Sequence, residues 1–175
     1  MRLEDDDFSL FGLPRAYALD RAELDARWRA LQGQVHPDRF AAEGAAAQRV
    51  AMQWAMRVNE AYRRLRDPLS RAAYLCTLQG QAVQAEGSAA MPPGFLVQQM
   101  QWRERLEEAE GEQPLRALDE EAGTAERQAF ERLGRQLEAA AASGQAAEAA
   151  ATVRSLMFVR RFREDLARRL EAFEA

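Results

Sequence analysis

The sequence contains no lysine and no isoleucine, one histidine (His36) and one cysteine (Cys76). Each shortage closes off a chemistry. One His and one Cys cannot build a Cys/His zinc site within one chain. A disulfide framework is impossible, which fits a reducing compartment. Carboxylate di-iron bundles of the Glu-x-x-His kind need at least two histidines. Without lysine there is no Schiff-base chemistry and no P-loop lysine; all 24 basic residues are arginine. Missing isoleucine and scarce Val and Thr leave few strand formers, while abundant Ala favours helix. The net charge of −4 is not that of a nucleic-acid binder with a strongly basic surface. No stretch approaches the ~18 consecutive apolar residues of a membrane span. The acidic start (Glu4, Asp5, Asp6, Asp7) is neither a signal peptide nor a transit peptide. The expectation is a soluble, cytoplasmic chain with no metal and no cofactor, engaging neither nucleic acid nor membrane.

What is present is helical patterning in two blocks. Gly80, Gly87, Ser88, Pro92, Pro93 and Gly94 mark a break, because both residue types resist helix interiors. Residues 1–80 carry 12 Arg against 11 acids, a net of +1, and residues 81–175 carry 12 Arg against 17 acids, a net of −5. The expected organisation is a domain over 1–80, a linker over 81–94 and a domain over 95–175. In the first block a short apolar segment, Phe8 to Phe11, stops at Gly12 and Pro14. Asp20 and Glu23 form a box-like N-terminal cap. A helix over Arg21–Val35 follows, with Leu24, Trp28, Leu31 and Val35 at helical spacing. Pro37 stops it. A loop is expected to about Gly44, then a longer helix to Arg66 with Val50, Trp54, Val58, Ala61 and Leu65 on one face. Asp67-Pro68 ends that helix, and a shorter one carries Ala72, Tyr74, Leu75 and Leu78. Cys76 reads as a small core residue. Two helices joined by a short loop pack as antiparallel neighbours. That puts His36-Pro37-Asp38 at an exposed hairpin tip.

The second block reads as three helices, about Phe95–Glu110, Leu115–Ala142 and Gln145–Phe173. Short connections favour an antiparallel bundle. At roughly 100° per residue, Phe95, Trp102, Leu106 and Ala109 form one stripe of the first helix. Leu96, Val97 and Met100 fall on another face, rimmed by Gln101, Glu104 and Glu108. A second apolar face with an acidic rim is the pattern of a protein-binding patch. Phe158 lies about 80° off the stripe of the third helix and is expected to add an exposed aromatic. The fold class is therefore all-α: a helical hairpin followed by a three-helix bundle.

His-Pro-Asp between two antiparallel helices resembles the J-domain, the module by which co-chaperones activate Hsp70 ATPases. The setting strengthens the resemblance. The second helix ends in Asn59-Glu60-Ala61-Tyr62-Arg63-Arg64-Leu65-Arg66-Asp67-Pro68. The start, Phe8-Ser9-Leu10-Phe11-Gly12-Leu13-Pro14, the run Arg71-Ala72-Ala73-Tyr74-Leu75 and the helical C-terminal block narrow it further. Together these resemble the bacterial type of the HscB family, J-protein co-chaperones of iron–sulfur cluster biogenesis, over essentially the whole chain. Val35 replaces the usual Tyr before the motif, and Arg39 the usual Lys after it.

The resemblance implies two partners and no enzymatic activity. An HscA-like Hsp70 would be engaged through His36, Pro37, Asp38 and the basic residues Arg27, Arg29 and Arg39. The iron–sulfur scaffold IscU would bind Leu96, Val97, Met100, Gln101, Glu104, Glu108 and Phe158, with Gln101 standing where an acid is expected. The alternative is a J-protein serving another client, with the bundle used for dimerisation. A helical enzyme is disfavoured because no nucleophile–base pair and no metal set can be assembled.

Overall fold

The computed structural model describes residues 2–83 and 91–174, the side chains of Pro93, Phe173 and Glu174 excepted. It is all-α, with no strand among the described residues. Seven α-helices follow in order: α1 Asp7–Leu10, α2 Arg21–Val35, α3 Ala45–Arg66, α4 Pro68–Leu78, α5 Pro93–Glu108, α6 Glu112–Ser143 and α7 Ala147–Glu174. The chain divides into two compact units, Met1–Leu75 and Cys76–Ala175, with the division inside α4. Of the expected linker, residues 84–90 lie outside the described residues, and Gly94 already belongs to α5.

The ends of the helices follow local chemistry. Asp20 caps α2 by accepting from the amides of Ala22 (2.8 Å) and Glu23 (3.3 Å). Pro37 ends it. The segment after it is not a plain loop: Pro37–Glu43 forms a 3-10 helix with Pro37 in its first turn. Proline supplies the φ that a helical start requires, so the residue that ends one helix begins the next. Gly144 closes α6 at φ 72°, its amide donating to the Ala140 carbonyl.

In the first unit Phe8, Leu24, Val58, Ala61, Leu65 and Ala72 are fully buried. The hairpin of α2 and α3 is set by polar contacts as well. Trp28 stacks on Tyr62 with centroids 4.6 Å apart. The Trp28 Nε1 donates to Asn59 Oδ1 at 3.1 Å, and Gln32 donates to the same oxygen. Val50 departs from the expected core row: it is 53% exposed. The row runs through Ala51, Val58, Ala61 and Leu65, and Val50 lies about 60–70° from its centre. The small side chains of Ala46, Ala47 and Ala51 leave it beside an open groove with Val35, Phe40 and Trp54.

The fully buried Asp7 anchors α1 to α3. Arg57 lies 2.8 Å from its Oδ1, and Arg64 donates to Oδ2 at 2.9 Å. The Arg57 contact acts through charge, since Arg57 directs its hydrogen bonds to the carbonyls of Asp5 (2.7 Å) and Leu3 (3.3 Å). Asp6 caps α1 from the other side, accepting from the amides of Phe8 and Ser9 and from Arg15.

In the second unit α6 and α7 form a long antiparallel pair, and α5 packs on them through Trp102 and Leu106. Near the turn the pair meets through Ala140, Ala146, Ala149 and Ala150, all buried. Farther along, Leu115, Leu118, Val159, Phe162 and Leu166 fill the core with Trp102. Arg169 reaches from α7 to the last carbonyls of α5, at Leu106, Glu107 and Ala109. Cys76 is buried, and burial pushes its thiol up to about 11, far from a nucleophile's range.

Two outcomes are expected. Replacing Asp7 with Ala leaves Arg57 without a carboxylate partner and Arg64 with Glu60 alone. The arginines retain some access to water, so the loss falls at the low end for a broken buried pair, about 3 kcal/mol, measured by urea unfolding with tryptophan fluorescence. For Asp6, burial pushes the carboxyl up, but hydrogen bonds from Arg15 and Ser9 outweigh it and hold it down at about 2, below the ordinary 3.8. A lowered pKa stabilises the fold above the ordinary value and loses that contribution as pH falls through the lowered one. The stability gap between the parent and Asp6→Asn, a neutral cap, should therefore close between pH 3.8 and about 2.

Candidate functional site

Two surfaces carry the residues singled out by sequence, one in each unit. The first is the hairpin tip. His36 leaves α2 with extended backbone, φ −61° and ψ 126°. Its Nδ1 accepts from the Asp38 amide at 3.3 Å. The same Nδ1 lies 3.5 Å from Asp38 Oδ2. Nε2 bonds to none of the described residues. The Asp38 side chain is 90% exposed, and its carboxylate offers a strong acceptor. The tip thus presents an imidazole and a carboxylate on a turn shaped by Pro37.

The three arginines singled out near the tip differ in situation. Arg39 donates to the Gly33 carbonyl at 2.7 Å, satisfying the last turn of α2 and bracing the tip. Arg27 pairs with Glu23 at 2.7 Å and donates to the Phe11 carbonyl at 3.0 Å. It approaches Gly12 so closely that a Cβ there would lie 2.8 Å from Nη1, and Gly12 has φ 62°. The positive φ favours glycine at that position, while the Nη1 contact is with the end of a flexible side chain. Arg27 is thus a tie between α2 and the turn after α1. Arg29 is exposed and has no hydrogen bond or ion pair with the described residues. Met52 and Met56 on α3 are 58% and 70% exposed. Their signal in the sequence is two methionines four residues apart and off the core row.

The second surface is on α5. Leu96, Val97 and Met100 are exposed large apolar side chains, Met100 at 72%. Gln101, Glu104 and Glu108 are exposed as well. The opposite side of α5 is held firmly: Trp102 is fully buried, and its Nε1 donates to Glu121 at 2.8 Å. Arg105 joins the same carboxylate at 2.6 Å. The hydrogen bonds from Trp102 and Arg105 lower the Glu121 pKa. Phe158 is not the exposed aromatic expected of it. It is half-buried, edge-on to Phe95 (5.7 Å) and stacked on Phe162 (6.1 Å), with the Arg103 guanidinium 5.4 Å from its centroid. The cause is α5, whose Phe95 covers a flank of α7 that the helical count leaves open.

The described residues hold no group of three or more His, Cys, Asp or Glu placed for a metal. None of their helices is long and apolar enough to cross a membrane.

Comparison with known proteins finds relatives over nearly the whole chain. Residues 91–167 match the family model described as the HSCB C-terminal oligomerisation domain. A co-chaperone protein HscB homolog from Burkholderia multivorans is 50% identical over 98% of both chains. Another from Burkholderia cenocepacia is 49% identical over the same share. Among solved structures, the chaperone HscB from Vibrio cholerae superposes with a TM-score of 0.80 at 35% identity, covering 97% of this chain and 99% of that one. The human co-chaperone protein HscB superposes at 0.86 and 25% identity, covering 97% and 84%.

The two arginines of α2 should separate in a stability measurement. Arg27→Ala removes a carbonyl tie and an ion pair, both partly solvated, and should cost about 1 kcal/mol. Arg29→Ala should stay within about 0.5 kcal/mol of the parent. Thermal unfolding followed by circular dichroism checks both.

Proposed function

The chain belongs to the HscB family of co-chaperones, and from that premise we propose that it stimulates the ATPase of an HscA-like Hsp70 and delivers an IscU-like iron–sulfur scaffold to it. The observation that supports this most is the exposed apolar row of α5. Leu96, Val97 and Met100 are 46%, 56% and 72% exposed, on a helix whose other face is anchored by a buried tryptophan. Contiguous exposed apolar surface with a charged rim suits a protein partner.

The hairpin tip supplies the other contact. The His36 imidazole and the Asp38 carboxylate would meet complementary polar groups of the ATPase, with Arg29 steering the encounter. Arg27 and Arg39, already engaged within the unit, would add charge around them. No bond is made or broken by this chain. It would bind the hydrolysis-competent conformation of the Hsp70 better than the resting one and shift that equilibrium. Holding the scaffold on the same chain raises its effective concentration at the chaperone. Both partners would be met in the cytoplasm.

A second reading keeps the tip and changes the bundle: another client, with α5 used to pair two copies. The description of the matched family model as an oligomerisation domain favours weighing it. Light scattering separates the two, since a monomer at micromolar concentration removes the pairing.

For the main reading, His36→Gln should abolish stimulation of the Hsp70 ATPase and leave scaffold affinity intact. Leu96→Ser with Met100→Ser should weaken scaffold binding more than about tenfold and spare stimulation by the chain alone. Steady-state phosphate release and titration calorimetry read the two effects. Stimulation by His36→Gln at the parent's level would refute the role of the tip.

A further inference from the structure

Beside the exposed row of α5 runs a groove between α5 and α7 of about 400 Å³. Its floor is aromatic, formed by Phe158 and Phe162, and its walls include Gln99, Arg103, Arg154 and Arg161. Most arginines of this unit are already satisfied. Arg105 pairs with Glu121, Arg163 with Asp119 and Glu126, Arg168 with Asp165, and Arg169 caps α5. Arg103 and Arg161 differ. Arg103 lies over the Phe158 ring and has no hydrogen bond or ion pair with the described residues. Arg161 is exposed and has none either. Two carboxylates share the groove, Glu107 and Asp165, but Asp165 is taken by Arg168. The buried Gln99 Oε1 also lacks a hydrogen-bond partner.

The groove is continuous with the row. At 100° per residue, Arg103 sits about 20° from Leu96 and about 60° from Met100 around α5, whereas Glu104 and Glu108 lie on the far side. The α7 edge of the face thus carries Arg103 and Arg161 with Glu107 beside them, while the other edge carries Glu104 and Glu108 alone. A partner that brings acid to the α7 edge would meet the two arginines there. Guanidiniums beside an aromatic floor bind carboxylates well, because the ring sheds water while the planar donors stay aligned.

We propose that the α5–α7 groove is a carboxylate subsite, in which Arg103 and Arg161 take an acidic side chain of the scaffold protein while an adjoining apolar residue lies on Phe158. The assignment rests on the reading that α5 holds the scaffold, and it adds a polarity to that contact. The acidic rim alone would favour any basic partner. The groove demands an acid in register as well.

Titration calorimetry of the full chain against purified IscU tests this. Arg161→Glu is the decisive variant, because Arg161 bonds to no described residue and the fold does not depend on it. Binding should weaken about five- to tenfold at low salt, with the difference shrinking at high salt. Arg161→Lys should keep most of the affinity, and Arg103→Gln should lose about fivefold. If Arg161→Glu and Arg103→Gln both bind like the parent while Leu96→Ser with Met100→Ser binds weakly, the subsite is wrong and the scaffold face stands. If that Ser pair also binds like the parent, the face itself is wrong and the subsite falls with it. If Arg161→Glu instead changes the mass in light scattering, the groove joins two copies of the chain, and the proposal is overturned.

Discussion

A carboxylate in a dry interior stays charged only if cations meet it. Asp7 is fully buried, and α3 meets its two oxygens with Arg57 and Arg64, two turns apart. This constraint orders the first unit. The four-residue α1 is too short to hold itself as a helix in water. It is held by the Asp7 ion pairs, the Asp6 cap and the burial of Phe8. With α1 in place, the Phe11 carbonyl becomes available to Arg27, which ties α1 to α2. α1 and α2 then share α3 as a common wall. The register of the hairpin, read in Trp28 on Tyr62 and Asn59, places the end of α2 where the tip emerges.

The second unit solves a different problem. It must expose an apolar row on α5 without letting that row collapse into its own core. Trp102 on the opposite face is the device. It is fully buried, and its one polar atom is satisfied by Glu121, so α5 cannot rotate without breaking a hydrogen bond and opening a large cavity. Arg169 fixes the C-terminal end of the same helix. Both surfaces thus follow one logic: a short exposed feature on an element whose other side is over-determined by polar and apolar contacts.

Much of this was legible in the sequence. The limits of α2, the start and end of α3 and the turn at Ser143-Gly144 follow from Asp20, Pro37, Gly44, Pro68 and Gly144, whose effects are local. The two faces of α5 follow from helical period alone, because Trp102 and Met100 sit about 160° apart. Less was legible where a neighbour decides. Val50 fits an apolar row by spacing but has nothing packed over it. Phe158 falls off its row by spacing but is covered by Phe95. The four acids at the N-terminus look alike in sequence, yet only Asp7 is buried between two arginines. Arg27 and Arg29 likewise look interchangeable until the Phe11 carbonyl claims one of them.

By itself the sequence determined the helical class, the ends of α2 and α3, the His-Pro-Asp turn and the absence of a Cys/His metal set, since propensity, capping and composition act within a few residues. The tertiary structure alone decided which charges are buried, which apolar side chains stay exposed and which arginines remain unpaired. Those properties depend on what another helix brings to within a few ångströms, and no local pattern encodes that.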